Sequence, residues 1–256
     1  MSTTVSIAGL GLWAPGFPSA AAWAAGERDS AEPLPTGKAL DRRNKRRAGS
    51  FGRAIADSSA EALLAAGADR SLAPIVVGSA IGEASILIGL LEQMWRTKTD
   101  MSPANFTISV HNAASGLLSI SSENRGYCTS LAADENTPAV ALLEGIGLVL
   151  QRQEPVLVTC CDESAPTCLV EGAATWSMLA GAVVLAPVSS AMPNLAHLDL
   201  LMGGAADLPP ATEDTALISN PQIGMLDLIG AVQRKQPGKV ALDRGTGHGY
   251  LAQLSF

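Results

Sequence analysis

Cysteine and histidine are scarce in this chain, with four and three among 256 residues. Four cysteines, at Cys128, Cys160, Cys161 and Cys168, are too few and too irregularly spaced to form a disulfide framework, so a reducing, cytoplasmic setting is expected. Cys160 and Cys161 are adjacent on a predicted strand and would point to opposite faces, so a shared metal is not expected and all four read as structural. His111, His197 and His248 have no zinc spacing, and neither a metal nor a cofactor is expected. Positive charge is in deficit too, with 17 Lys and Arg against 24 Asp and Glu, a net charge of -7. Without a basic surface to neutralise phosphates, nucleic acid is excluded as a partner. The N-terminus lacks the positive region and cleavage site of a signal peptide. One long charge-free run extends from Gly172 to Ala196, but Gly181, Pro187 and Pro193 break it. It reads as a buried strand pair in a soluble protein and not as a membrane span.

What the chain does have is 47% hydrophobic residues and 25 glycines, the composition of a compact α/β domain at the upper end of single-domain length. VSIAGLGLWAPG is an apolar strand ending in a Gly/Pro turn, and AAAWAAGERD a short helix. The connection that follows carries Arg42, Arg43, Lys45, Arg46 and Arg47, either a solvated loop and helix start or a docking patch for an acidic partner. GRAIADSSAEALLAAGAD has helical spacing with Gly67 as its stop. APIVVGSAIGEASILIGLLEQMW is a strand, a tight turn and a helix; Gly78 and Gly82 fit neither a P-loop nor a dinucleotide fingerprint. A strand then turns sharply at Glu135 into a buried helix, and PVLVTCCDE is the next strand. Further on, Gly181–Leu185 is predicted as a strand, ISNPQIGMLDLIGAVQRKQPG as a helix, and VALDRGTGHGYLAQLSF as a Gly-rich hairpin in which His248 has a structural role.

Ser102-Pro103, Asn112 ten residues beyond Ser102, and Glu135 twenty-three beyond Asn112 have a family spacing. With Gly116, Ile120, Arg125, Gly126 and the strand VLVTCCDE, this pattern resembles the β-ketoacyl synthases of the thiolase superfamily, and VSIAGLGLWAPG is similar to their opening strand. GSAIGEAS and SPANFTISVHNAASG resemble short ketosynthase-like proteins of type II aryl polyene pigment pathways. The resemblance implies a thiolase-like layered α/β/α fold, with residues 1–187 as a complete first half and 188–256 as a reduced second half. It also puts Glu135 where the nucleophilic cysteine belongs. A carboxylate is a weak nucleophile towards a thioester. The two histidine motifs of the second half are missing, with Asn220-Pro221 where a Gly-His pair is expected.

The resemblance therefore implies a non-catalytic, chain-length-factor-like subunit that pairs with an active β-ketoacyl synthase and contacts an acyl carrier protein only indirectly. Ala104, Asn105 and Phe106 would close the partner's acyl tunnel, with Trp95 or Met101 beyond. A strand over Thr107–Asn112 would pair across the interface, carrying Val110, His111 and Asn112, with Ala114 and Gly116 following. The five basic residues would be the carrier-protein docking patch. Two alternatives stand beside this: an acyl-thioester hydrolase or decarboxylase using Glu135 as general base, or a self-associating paralogue with a purely structural role.

Overall fold

The computed structural model describes residues 3–169, 176–203, 208, 212–243 and 249–256. The chain opens with β1 (Val5–Trp13), buried along its whole length. A strand covered on both faces has no solvent side to make polar, and VSIAGLGLW is accordingly an almost unbroken apolar run. Its interior glycines have a packing reason. Helix α3 (Ser50–Ala66) lies so close across β1 that a Cβ on Gly11 would stand 1.9 Å from the Ser58 carbonyl oxygen, and one on Gly9 2.2 Å from that of Ala62. As the sequence predicts, α3 stops at Gly67, which takes φ +64° and returns its N–H to the carbonyls of Leu63 and Leu64.

β1 lies inside an eight-stranded sheet formed with β2 (Ile75–Gly78), β3 (Cys128–Leu131), β4 (Val156–Asp162), β5 (Leu179–Ala186), β6 (Ala196–Met202), β7 (Gly238–Ala241) and β8 (Tyr250–Ser255). The order is β3-β2-β4-β5-β1-β6-β8-β7. β2 runs parallel to β3 and β4, while the other pairs are antiparallel. Helices cover both faces. On one, α3 and α6 (Ala113–Ser121) join Phe51, Ile55 and Leu117 to Ile75, Val77 and Leu157 of the sheet. On the other, α7 (Thr137–Arg152) and α8 (Ile223–Gln233) pack Leu142, Ile146 and Met225 on Val158 and Leu185. This is the layered α/β/α arrangement expected. Cys160 and Cys161 fall in opposite cores, as the alternation of a strand requires.

Some expectations need correction. Thr107–Asn112 is not a strand: α5 (Pro103–Ile108) runs into a turn and then α6. Its β-branched residues suggested extension, but Ser102 is an N-cap whose Oγ accepts from the Asn105 N–H at 3.3 Å, and Pro103 occupies the first turn. No sheet can continue through that segment; the edge on this side is β3. Ala114 is buried against the α3 layer and so cannot meet a partner. The described part of the charge-free run supplies β5 and the start of β6, but these are not a pair, because β1 lies between them. The basic connection contains a short helix, α2 (Arg42–Arg47), capped by Asp41. β7 and β8 pair antiparallel as the expected hairpin, while His248 between them is outside the described residues.

Candidate functional site

Glu135 stands in a single 3₁₀ turn, Asp134–Asn136, between β3 and α7. The turn is sharp enough that Asp134 takes φ +46°, a region that favours glycine. Buried Thr137 holds it from behind, its Oγ1 accepting from the Ala133 N–H at 3.0 Å and donating to the Asp134 carbonyl at 2.6 Å. The Glu135 side chain is exposed and faces a pocket of 230 Å³ shared with Ile218, Ser219, Asn220, Pro221 and Ile223. The fold thus brings together the two positions singled out from sequence, Glu135 and Asn220-Pro221. Asn220 is not free to act on a ligand. Its Nδ2 donates to the carbonyls of Ser177 at 2.9 Å and Asp162 at 3.2 Å, and its Oδ1 accepts from the Gln222 N–H at 2.8 Å. Among the described residues of the pocket, Glu135 is the only titratable one.

Histidine does not reach this pocket among the described residues. His111 lies in the turn between α5 and α6, with its Nε2 2.8 Å from the Ser79 carbonyl. His197 is on β6, where its Nε2 meets Asn194 Nδ2 at 3.1 Å. No group of three or more His, Cys, Asp or Glu side chains among the described residues is arranged to hold a metal ion.

Asp162, at the end of β4, holds the neighbouring turns together, and sequence reasoning missed it. Its carboxylate accepts from Ser79 Oγ (2.6 Å), the N–H groups of Ala80 (3.0 Å) and Ile81 (3.1 Å), and Gln222 Nε2 (2.5 Å). It ties the β2 turn to the N-terminal end of α8. Burial pushes its pKa up, and these four bonds oppose the shift. Ser79 Oγ also accepts from the Gly82 N–H at 2.8 Å, so GSAIGE forms the tight turn expected, with Gly82 at φ +62°.

Behind that turn begins α4 (Ala84–Glu92), which continues as a π-helical turn, Gln93–Thr97. Glu83, just ahead of α4, is 4% exposed, and its Oε1 has no hydrogen-bond partner. Burial, then the neighbouring Glu163 carboxylate, push its pKa up to about 7, with the Gly52 N–H opposing. Glu163 Oε1 accepts from the Ser85 N–H at 2.8 Å.

The residues expected to form the tunnel wall and the interface lie on α5, the turn after it and α6. Ala104, Asn105 and Phe106 are exposed on α5, as are Val110 and Asn112 in the turn after it; His111 and Gly116 are half-buried. Phe106 joins Leu87, Leu91, Met94, Trp95, Met101 and Val110 as exposed large apolar side chains on α4, the π turn, α5 and their connections, with Trp95 72% exposed. α4 packs on α5 and α5 on α6, so these residues belong to one helical layer. The basic patch divides. Arg42, Lys45 and Arg46 line a cleft of 300 Å³ with Thr36 and Arg53, neither of which was anticipated. Arg47 turns to the Thr107 hydroxyl of α5 at 3.3 Å, and Arg43 does not line the cleft.

The sequence profile of the N-terminal domain of β-ketoacyl synthases matches residues 20–221. No curated protein matches the chain in sequence. Among solved structures, one described as a ketosynthase (ApeO) in complex with its chain length factor (ApeC) from Xenorhabdus doucetiae contains a chain 21% identical, with 99% of both chains covered and a TM-score of 0.72. The ishigamide ketosynthase/chain length factor matches at 16% identity over 98% of both chains with a TM-score of 0.73. A β-ketoacyl synthase from Burkholderia phymatum STM815 matches at 13% identity and a TM-score of 0.60, over 90% of this chain and 70% of that one. At these identities the likeness is one of fold.

Proposed function

The chain belongs to the β-ketoacyl synthase family through its N-terminal domain, and on that premise we propose that it is a non-catalytic, chain-length-factor-like subunit. In this reading it pairs with a complete β-ketoacyl synthase and shapes the acyl tunnel of that partner, in the synthesis of a long polyene chain. The observation that carries the proposal is the exposed apolar layer formed by α4, the π turn and α5, from Leu87 to Val110. A layer of that kind marks a protein–protein contact, and it includes the positions that the family resemblance assigns to the tunnel wall. Two of the fold neighbours come from structures described as ketosynthase and chain length factor together, which favours the same kind of partner. The match to only 70% of a β-ketoacyl synthase chain supports reading residues 188–256 as a reduced second half.

The absence of catalysis is argued from Glu135. A carboxylate whose described pocket neighbours are Ile218, Ser219, Asn220, Pro221 and Ile223 has neither a thiolate's nucleophilicity nor a base beside it. The split basic patch fits an indirect role towards an acyl carrier protein, with Arg42, Lys45 and Arg46 forming an anion-sized cleft.

The decisive experiment is co-expression with a complete ketosynthase from the same genome, followed by size exclusion and mass spectrometry of carrier-bound acyl thioesters. A stable pair in which this chain alone turns nothing over is the expected result. Turnover by the isolated chain that disappears in Glu135→Gln would overturn it in favour of the hydrolase or decarboxylase reading.

A further inference from the structure

The C-terminal part of the chain holds a cavity that the proposed pairing does not use. α8 ends at Gln233 and the chain reverses through residues 234–237 into β7, at the opposite edge of the sheet from β3. The helix's own carbonyls close this turn. The N–H groups of Arg234, Lys235 and Gln236 donate to the carbonyls of Gly230 (3.1 Å), Val232 (3.0 Å) and Ala231 (2.9 Å), and Lys235 takes φ +51°. Between the last turns of α8 and β7 lies a cavity of about 520 Å³, the size of a small-molecule site. Asp227, Ala231 and Arg234, four and then three residues apart, share the face of α8 that lines it.

The floor of the cavity is apolar. Ala231, Val240 and Ala241 line it from buried positions, and Leu208, packed on Ala241 and Leu251, adds a fourth apolar side chain. Its mouth is basic. Arg234, Lys235 and Lys239 line it and are exposed, and none of the three forms an ion pair among the described residues. In a chain with 24 acidic and 17 basic residues, three cations gathered at one opening create a local field of the opposite sign. The Arg234 guanidinium is held in place: it lies back over Gly230, where a Cβ would stand 3.0 Å from Nη2, and its Nε donates to Gln236 Oε1 at 3.4 Å. Two features oppose an anion here. Asp227 is buried, with a partner of its own, and the C-terminal end of α8 carries about half a negative charge. Three full positive charges at the opening outweigh both.

We propose that this cavity binds a small amphipathic anion, its carboxylate or phosphate head on Arg234, Lys235 and Lys239 and its short apolar body on Ala231, Val240 and Ala241. A planar guanidinium takes either head through two parallel hydrogen bonds, and the lysines add point charges. A neutral molecule of the same shape loses the mouth and a bare ion loses the floor, so selection needs both halves of the cavity. The site is separate from the docking role proposed above. α8 packs on the face of the sheet opposite α3 and α6, whereas the exposed apolar layer adjoins α6 through α5.

The test titrates hexanoate and hexyl phosphate into the full chain and follows backbone amide chemical shifts, with hexanol and inorganic phosphate as controls. At least one amphiphile should give saturable shifts at residues 234–241, and each control should bind at least about tenfold more weakly. Saturation by hexanoate alone identifies a carboxylate head, and by hexyl phosphate alone a phosphate head. Arg234→Gln combined with Lys239→Gln changes only exposed side chains; it should weaken binding by about tenfold or more and leave the circular dichroism spectrum unchanged. Gly230→Ala keeps every charge but displaces the guanidinium, and should weaken binding severalfold. Hexanol binding as tightly as the amphiphiles overturns the proposal in favour of a plain apolar hollow. Inorganic phosphate binding as tightly as hexyl phosphate overturns it in favour of an adventitious ion only. Failure of both amphiphiles to saturate at millimolar concentration, or wild-type affinity in both variants, overturns it outright.

Discussion

At the scale of single residues, Glu83 has a consequence for stability that does not involve a partner. Its folded pKa, about 7, lies above the usual glutamate value because of burial and Glu163, so the folded chain holds a proton that the unfolded chain has already released. The contribution is complete below about pH 4.5 and is lost as pH rises through 7, amounting to about 3 kcal/mol by ordinary proton linkage. Chemical denaturation at pH 6 and pH 8.5 should therefore show wild type losing stability between the two and Glu83→Gln losing much less. Glu135 makes the opposite case, being exposed in its turn. Replacing it with Cys restores a thiol without any described histidine to activate it. Glu135→Cys should be alkylated by iodoacetamide yet form no condensation product when offered malonyl and acyl carrier thioesters.

Elements show how unevenly the sequence could be read. Strand β1, helix α3 with its stop at Gly67, the strand ending in Asp162 and the turn into α7 were all legible, because periodicity and glycine punctuation report backbone geometry directly. The segment from Thr107 to Asn112 was misread because Thr, Ile and Val favour strands, while the cap that decides its helix sits upstream at Ser102. Asp162 escaped notice for a different reason. An acidic residue at a strand end looks solvated until the fold delivers Ser79 and Gln222, far away in sequence, to its carboxylate. Arg53 joins the basic cleft from the next helix, its guanidinium donating to the Lys45 carbonyl at 2.8 Å. These placements sharpen the docking tests. Val110→Asp alters an exposed residue and should abolish pairing in size exclusion while leaving the circular dichroism spectrum intact. Ala114→Asp places a charge in the core and should unfold the chain, at a cost of at least about 3 kcal/mol. Ala104→Phe, on the exposed face of α5, should shorten the product made by the reconstituted pair without dissociating it, through a steric block of about 1–3 kcal/mol. Chromatography with mass detection reads the length distribution. An unchanged distribution with the complex intact would leave this subunit a scaffold.

For the whole molecule, the arrangement of the sheet around β1 determines what can be tolerated. α3 touches β1 through backbone at Gly9 and Gly11, so no repacking of side chains can make room for a methyl group at either. Gly11→Ala should lower the unfolding free energy by about 3 kcal/mol, the upper range for overpacking, as read from denaturant midpoints. The two faces of the sheet have separate cores, and strain on the α3 side should leave the Leu142, Ile146 and Met225 side largely protected in hydrogen exchange.

The position of β1 also has a bearing on how the protein is made. Residues 5–13 leave the ribosome well before their pairing partners, which are residues 180–186 on one side and 196–198 on the other. At about 5–20 residues per second, roughly 8–33 s of synthesis separate the strand from its first neighbour. Throughout that interval this apolar strand has helices but no neighbouring strand to pack on, α3 foremost among them through the two glycine contacts. A strand with two open edges is an invitation to aggregate; the small residues at that contact let α3 cover one face of β1 before either edge is paired, as well as packing the finished fold.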